Sequence, residues 1–208
     1  YIRVFNKPAP IPVHPSGRYF QNSMTEILKR LYPKEIPRPV QRLDAITTGV
    51  IVFARTRDVA GVLMDEFMSH RIKKEYLALV EGEPETENFC IDAPIGILKG
   101  SHRGVGDQIK NAKWAKTEVQ WLASKDGYSL LKIIPLSGRT NQIRVHLSSY
   151  GLPIYNDQVY GQGSSENYQY GLHAWSLEFK LFDQTMRFRV EPPLHFEPLL
   201  KAAKIKSK

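Results

Sequence analysis

From His173 to Leu181 the chain alternates, with Trp175, Leu177, Phe179 and Leu181 at every second position, and Met186, Phe188 and Val190 then alternate with Arg187 and Arg189. A period of two belongs to a strand with one buried face, so the two runs predict a pair of antiparallel strands. Thr117 to Ala123 and Tyr128 to Pro135 predict a second hairpin around the turn Lys125-Asp126-Gly127. The compact β-branched run Val50 to Ala54 and the stretch Tyr76 to Val80 add further strands, the latter with Leu77 and Leu79 on one face and Tyr76 and Ala78 on the other. Helical spacing is confined to three places. Ser23 to Leu31 carries an N-cap Ser with Glu26 at the capping-box position and Met24, Ile27, Leu28 and Leu31 on one face. Arg57 to His70 repeats Val59, Leu63 and Phe67, and Thr140 to Tyr150 repeats Ile143, Leu147 and Tyr150 before the stop signal Gly151 and Pro153. Between the first strand and the first helix, the prolines of the run from Lys7 to Gly17 exclude helix and favour extended chain. The expected architecture is α+β with a mostly antiparallel sheet.

At 208 residues, 42% hydrophobic and 24% charged, the chain has the material for a continuous core and the composition of a globular protein. No apolar run approaches the roughly 20 residues that cross a bilayer, and no secretory signal pattern opens the sequence. A soluble, cytoplasmic protein without membrane attachment is expected. The chain begins at Tyr1, which leaves both an excised domain and a lost leader open. Cys90 is the single cysteine, so no intrachain disulfide forms; between Phe89 and Ile91 it is expected to pack as a small hydrophobe. The six histidines show no paired ligand spacing, and no metal is expected.

Lys and Arg number 29 against 21 Asp and Glu, a formal net charge of +8 that attracts polyanions. Between Lys99 and Lys116 stand Lys99, Arg103, Lys110, Lys113 and Lys116 with one acid, Asp107, among Gly100, Gly104 and Gly106. This reads as a mobile cationic loop at 99–111 joining two halves, 1–98 and 112–200, of one domain. Whether it contacts phosphate or merely keeps a linker solvated is open on charge alone.

Two polar blocks interrupt the apolar surroundings. In RLDAITTG at 42–49, Asp44 precedes a Thr-Thr-Gly turn and the strand at Val50, so it is either a catalytic group on a loop held by a rigid strand or an acid capping its own turn. In PLSGRTNQIRVHL at 135–147, Arg139 and Arg144 are suited to bind phosphate, to clamp a carboxylate in a fork, or to serve as surface charge.

These blocks occur in order with KEYLALVEG at 74–82, AKWAKTEV at 112–119, GLPIYNDQVYG at 151–161 and GLHAWSLEF at 171–179. Together they resemble the RluA-type pseudouridine synthases, from about Ile2 to Leu200. The resemblance implies the pseudouridine synthase fold, two α+β halves sharing an extended mixed sheet with the active cleft between them. It implies isomerisation of uridine in structured rRNA or tRNA to pseudouridine, without metal or other cofactor. A monomer is expected. Asp44 matches the catalytic aspartate, Tyr76 the active-site tyrosine, and Arg139 the arginine that pairs with the aspartate. Asp44 either attacks C1′ or removes the 2′ proton, and Tyr76 offers a ring for the base and a hydroxyl for the C5 proton. Arg42, Lys74, Arg103, Lys110, Lys113, Lys116, Asn141 and Arg144 are the expected RNA contacts. Three positions depart from the pattern: Gln41 and Asn141 replace histidines, and Ala45 replaces a basic residue. No accessory S4-type module is visible, so RNA binding is expected from this domain or from sequence outside the chain. The rival reading is a non-catalytic RNA-binding or chaperone module on the same fold.

Overall fold

A computed structural model describes residues 1–15, 19–164 and 169–205; Ser16 and Gly17, the end of the proline-rich run, lie outside them. The strands and helices are β1 (Ile2–Lys7), α1 (Met24–Leu31), β2 (Arg38–Pro39), β3 (Thr48–Ala54), α2 (Arg57–Met68), β4 (Lys73–Glu81), β5 (Asn88–Asp92), β6 (Ile95–Lys99), β7 (His102–Val105), β8 (Lys110–Lys113), β9 (Lys116–Lys125), β10 (Tyr128–Pro135), α3 (Gln142–Ser149), β11 (Leu172–Leu181), β12 (Gln184–Arg189) and α4 (Glu197–Ala202). The class is α+β, and every strand pairing with a described register is antiparallel.

The chain divides into two compact units, one of Tyr1–Lys74 with Ala174–Glu191 and one of Glu75–His173 with Pro192–Lys208. This corrects the expected halves at 1–98 and 112–200. The boundaries fall inside β4 and β11, because the late β11 and β12 return to the N-terminal unit, a long-range pairing that no local pattern announces.

In the first unit β3 lies between β1 and β11, and β12 extends β11. Val50 to Ala54 are all at most 1% exposed, which is why this run is apolar on both faces. Helix α2 covers β3 with Val59 and the fully buried Leu63. Helix α1 starts as the sequence indicates: the Ser23 hydroxyl accepts from the Glu26 N–H, and the carbonyls of Pro12 and Val13 take the N–H groups of Met24 and Thr25. The proline-rich segment thus supplies partners for donors that a helix N-terminus leaves open. Leu31, expected on the buried face, is 65% exposed, since it sits on the last turn of the helix.

In the second unit β4, β10, β9 and β5 pair in that order. The β9–β10 hairpin turns through Asp126 and Gly127 with φ of 55° and 80°, the left-handed pair that a two-residue hairpin turn requires. Strand β5 is an edge strand whose Phe89 and Ile91 face inward. Cys90, between them, is exposed, correcting its expected packing: the alternation of the strand sends it to the other side.

The basic segment is also corrected. Instead of a loop it forms a three-stranded sheet in the order β7-β6-β8. Gly104 serves close approach: it is buried, and a Cβ there would lie 2.4 Å from Leu98 Cδ1. Behind the sheet Ile95, Ala115 and Val145 form a small apolar cluster with Val105 and Tyr160, tying the sheet to β9 and α3.

Candidate active site

In the first unit the candidate carboxylate sits on a turn clamped to the β1–β3 pair. The Thr47 N–H donates to the Asp44 carbonyl at 3.1 Å, closing the turn, and Gly49 pairs with Lys7. Gly49 has φ of 120°, and a Cβ there would stand 2.2 Å from the Ala174 carbonyl oxygen, so only glycine lets β3 start against β11. The side chain of Lys7, fully buried at the end of β1, completes the clamp: its ammonium donates to the carbonyls of Pro8, Ile11 and Ala45 at 3.0, 2.8 and 2.9 Å. Burial pulls the Lys7 ammonium down to about 8, and the attraction of Asp44 offsets part of that fall. Lys7 is still protonated at neutral pH and fixes the backbone on the C-terminal side of Asp44. Nothing local marks this lysine, whose partners include a carbonyl from another loop. Gln41, one of the departures, donates from Nε2 to the Val50 carbonyl at 2.8 Å, a purely structural use of the amide. Arg42 is exposed and Asp44 half-buried.

In the second unit Tyr76 is half-buried on β4, opposite Ile133. Arg139 lies in the loop before α3, and its Nε donates to the Trp114 carbonyl at 2.9 Å. The loop is organised by Gln142, which is 5% exposed. Its Oε1 accepts from the Ser137 hydroxyl at 2.8 Å and from the Arg139 N–H at 2.9 Å, while Nε2 donates to the Lys116 carbonyl and the Thr117 hydroxyl at 3.0 Å each. Every donor and acceptor of the amide is used. The Thr117 hydroxyl passes the chain on to His146 Nδ1 at 2.8 Å, and His146 Nε2 donates to the Ala93 carbonyl at 2.9 Å. Burial lowers the His146 pKa, the Ala93 bond opposing that shift, so the ring is neutral at pH 7 and holds one tautomer.

Arg144 is corrected. Its guanidinium is buried at 7% exposure and forks onto Asp157, Nε to Oδ2 and a terminal nitrogen to Oδ1, both 2.8 Å. It therefore fills the carboxylate-clamp role and leaves the expected RNA-binding set. Burial alone works against the Asp157 charge. The Arg144 bond and charge, with the N–H groups of Val159 and Tyr160, reverse that and hold its pKa below the ordinary value. The Tyr170 hydroxyl also donates to Asp157 at 3.1 Å. The only advance signal for Asp157 was an acid inside the apolar motif GLPIYNDQVYG.

Asn141 takes the left-handed conformation, φ 57°, which asparagine tolerates better than most residues, and its Nδ2 donates to the Tyr160 hydroxyl at 3.1 Å. The same hydroxyl accepts the Arg103 N–H at 2.9 Å, so Tyr160 fastens β7 to the start of α3. Lys110 and Lys113 are exposed, Lys74 is half-buried with its pKa lowered by burial, and Lys116 pairs with Asp92 at 3.3 Å. Among the described residues no group of three or more His, Cys, Asp or Glu side chains could hold a metal ion, and no helix is long and apolar enough to cross a membrane.

A two-unit α+β fold with an aspartate on a clamped turn of one unit and an arginine-bearing loop in the other is the fold of the pseudouridylate synthases. The solved structure of human RNA pseudouridylate synthase domain containing 4 superposes with a TM-score of 0.80 at 25% identity, covering 99% of this chain and 91% of that one. The sequence agrees: residues 1–149 match the family model for RNA pseudouridylate synthases, and the chain belongs to that family. The human pseudouridylate synthase RPUSD2 is 38% identical over 160 residues, which cover 76% of this chain and 29% of that protein. The mitochondrial tRNA pseudouridine(32) synthase of Saccharomyces cerevisiae is 37% identical over 163 residues, 76% of this chain and 35% of its own length. The chain thus spans about a third of the length of these relatives.

Proposed function

We propose that the chain is the catalytic domain of an RNA pseudouridine synthase that isomerises uridine in structured RNA, with Asp44 as the essential carboxylate. The observation that carries this reading is RLDAITTG held on the β1–β3 clamp, within a chain whose residues 1–149 match the family. In the reaction the C1′–N1 bond breaks, the uracil rotates, and C1′ bonds to C5; the C5 proton is removed and N1 gains one. Composition and oxidation state are unchanged, so acid–base chemistry suffices. Asp44 acts at the sugar, at C1′ or on the 2′ proton. Tyr76 offers its ring to the base and its hydroxyl to the C5 proton, and Arg139 takes the part of the family's site arginine. Extruding a nucleotide costs a few kcal/mol of unstacking, to be offset by aromatic stacking and phosphate contacts.

The RNA is tRNA or rRNA; the yeast relative's name specifies tRNA. Arg42, Arg103, Lys110, Lys113 and Asn141 remain the proposed contacts, with Lys74 and Lys116 as weaker members, one half-buried and the other paired with Asp92. We place the protein in the cytoplasm as a monomer.

Asp44→Asn tests the reading. The turn bond uses the Asp44 carbonyl and survives the change. Pseudouridine formation is expected to fall by about 100-fold or more, with RNA affinity and melting temperature little changed. A folded variant that turns over at the wild-type rate would remove Asp44 from the chemistry.

A further inference from the structure

We propose that Trp114 is a stacking platform for an unpaired base of the bound RNA, beside Arg139; this rests on the reading above. The case begins with a contrast between neighbours. Ala115 is fully buried, while Trp114, next to it, is 50% exposed. Its backbone is not free to move. Ala115 packs in the cluster with Ile95 and Val145. The Lys116 N–H donates to the Ser137 hydroxyl, the Lys116 carbonyl accepts from Gln142, and the Trp114 carbonyl accepts from Arg139 Nε. A large ring held out to solvent on a pinned backbone loses little entropy when something lands on it.

Charge selects the occupant. Trp114 lies between β8 and β9, directly after exposed Lys113 and at the end of a sheet that also carries Lys99, Arg103 and Lys110 against the single acid Asp107. A polyanion tracking these cations passes the indole on its way to Arg139. Aromatic rings interleaved with cations are how proteins hold single-stranded nucleic acid, because every base presents a π-face. The other two tryptophans are otherwise engaged: Trp175 is 9% exposed, and the Trp121 indole donates to Ser124 at 2.8 Å. Truncating Trp114 leaves its carbonyl, and so the Arg139 anchor, in place.

The experiment measures affinity for a single-stranded oligouridine of about ten nucleotides across a salt series, with duplex RNA as control. Trp114→Ala is expected to weaken single-strand binding by about 5- to 150-fold with an unchanged log-log salt slope, since stacking releases no counterions. Trp114→Phe should restore most of it, and Lys110→Ala with Lys113→Ala should flatten the slope instead. Duplex binding should be indifferent to Trp114. Affinity unchanged in Trp114→Ala, loss not rescued by Trp114→Phe, or a changed slope would overturn the proposal, including in favour of a protein partner at this ring. The result is independent of the Asp44→Asn assay, so failure of either reading is told apart from failure of the other.

Discussion

Among the described residues two Lys or Arg side chains are buried, Lys7 in one unit and Arg144 in the other, and they are stabilised in opposite ways. Lys7 donates to three neutral carbonyls, with Asp44 near enough to attract it. Arg144 is matched by a full carboxylate in a two-bond fork that three further donors support. A point-like ammonium with three rotatable donors can gather carbonyls from three places and so tie a loop to a strand end, but it remains a desolvated charge. A planar guanidinium paired with Asp157 is neutralised where it lies. Lys7 therefore has a depressed pKa and retains a titration near the alkaline edge of the physiological range, whereas the Arg144 charge is compensated by the Asp157 carboxylate where it lies. The first arrangement positions the backbone after Asp44; the second ties α3 to the segment carrying Tyr160.

The largest effect expected from breaking this contrast is at the carboxylate pair. Arg144→Met leaves the Asp157 charge buried without its fork and should cost about 3–5 kcal/mol in denaturant unfolding. The same pair predicts an acid limb. Because the Asp157 pKa is depressed on folding, its contribution is complete above the unfolded carboxylate value of about 3.9 and is lost as pH falls through the lower folded value. Asp157→Asn should remove that limb, and an identical acid profile in the variant would show that the pair does not set it.

At Lys7 a smaller effect with the opposite pH sense is expected. Lys7→Met leaves three carbonyls without their donor and should cost about 1–3 kcal/mol at pH 7, less than the pair because no charge is stranded. Between about 8 and 10.5 the unfolded chain binds a proton at Lys7 that the folded chain has shed, so wild-type stability should rise with pH relative to Lys7→Met. A wild-type advantage that shrinks over this window would mean that the ammonium is not desolvated as the geometry requires. The smallest effect belongs to an ion pair outside the contrast. Lys116 and Asp92 meet at 3.3 Å with side chains 35% and 50% exposed, so Asp92→Asn should shift stability by at most about 1 kcal/mol. A larger loss would show that exposure does not separate this pair from the buried one.

Much of the scaffold of both units could be read directly because its determinants are local. Asp126-Gly127 sets the β9–β10 turn, Ser23 caps α1, and Val59 with Leu63 marks the buried side of α2. The candidate site was half legible. Asp44, Tyr76 and Arg139 stood out through their motifs, whereas the groups that hold their loops did not: Lys7 reaches a carbonyl 38 residues away, and Gln142 binds backbone and side chain 26 and 25 residues away. The basic segment departs from the expected loop because its strands are only four or five residues long, and Gly104, a residue type that suggests looseness, instead admits Leu98 at close range.

By itself the sequence determined the α+β class, the hairpins and helices, the charge that favours a polyanion, and the residues whose types suit the chemistry. The class, the elements and the charge follow from periodicity, capping and composition, which act over a few residues or over the whole chain at once, and the site residues follow from the resemblance of their motifs to the family. Tertiary structure alone decided that β11 and β12 complete the N-terminal unit, that Arg144 serves Asp157 rather than phosphate, and that Lys7 clamps the Asp44 turn. The physical reason is common to the three. A buried polar group must find a partner, and which partner it finds depends on which distant segments the core brings within about 3 Å of it.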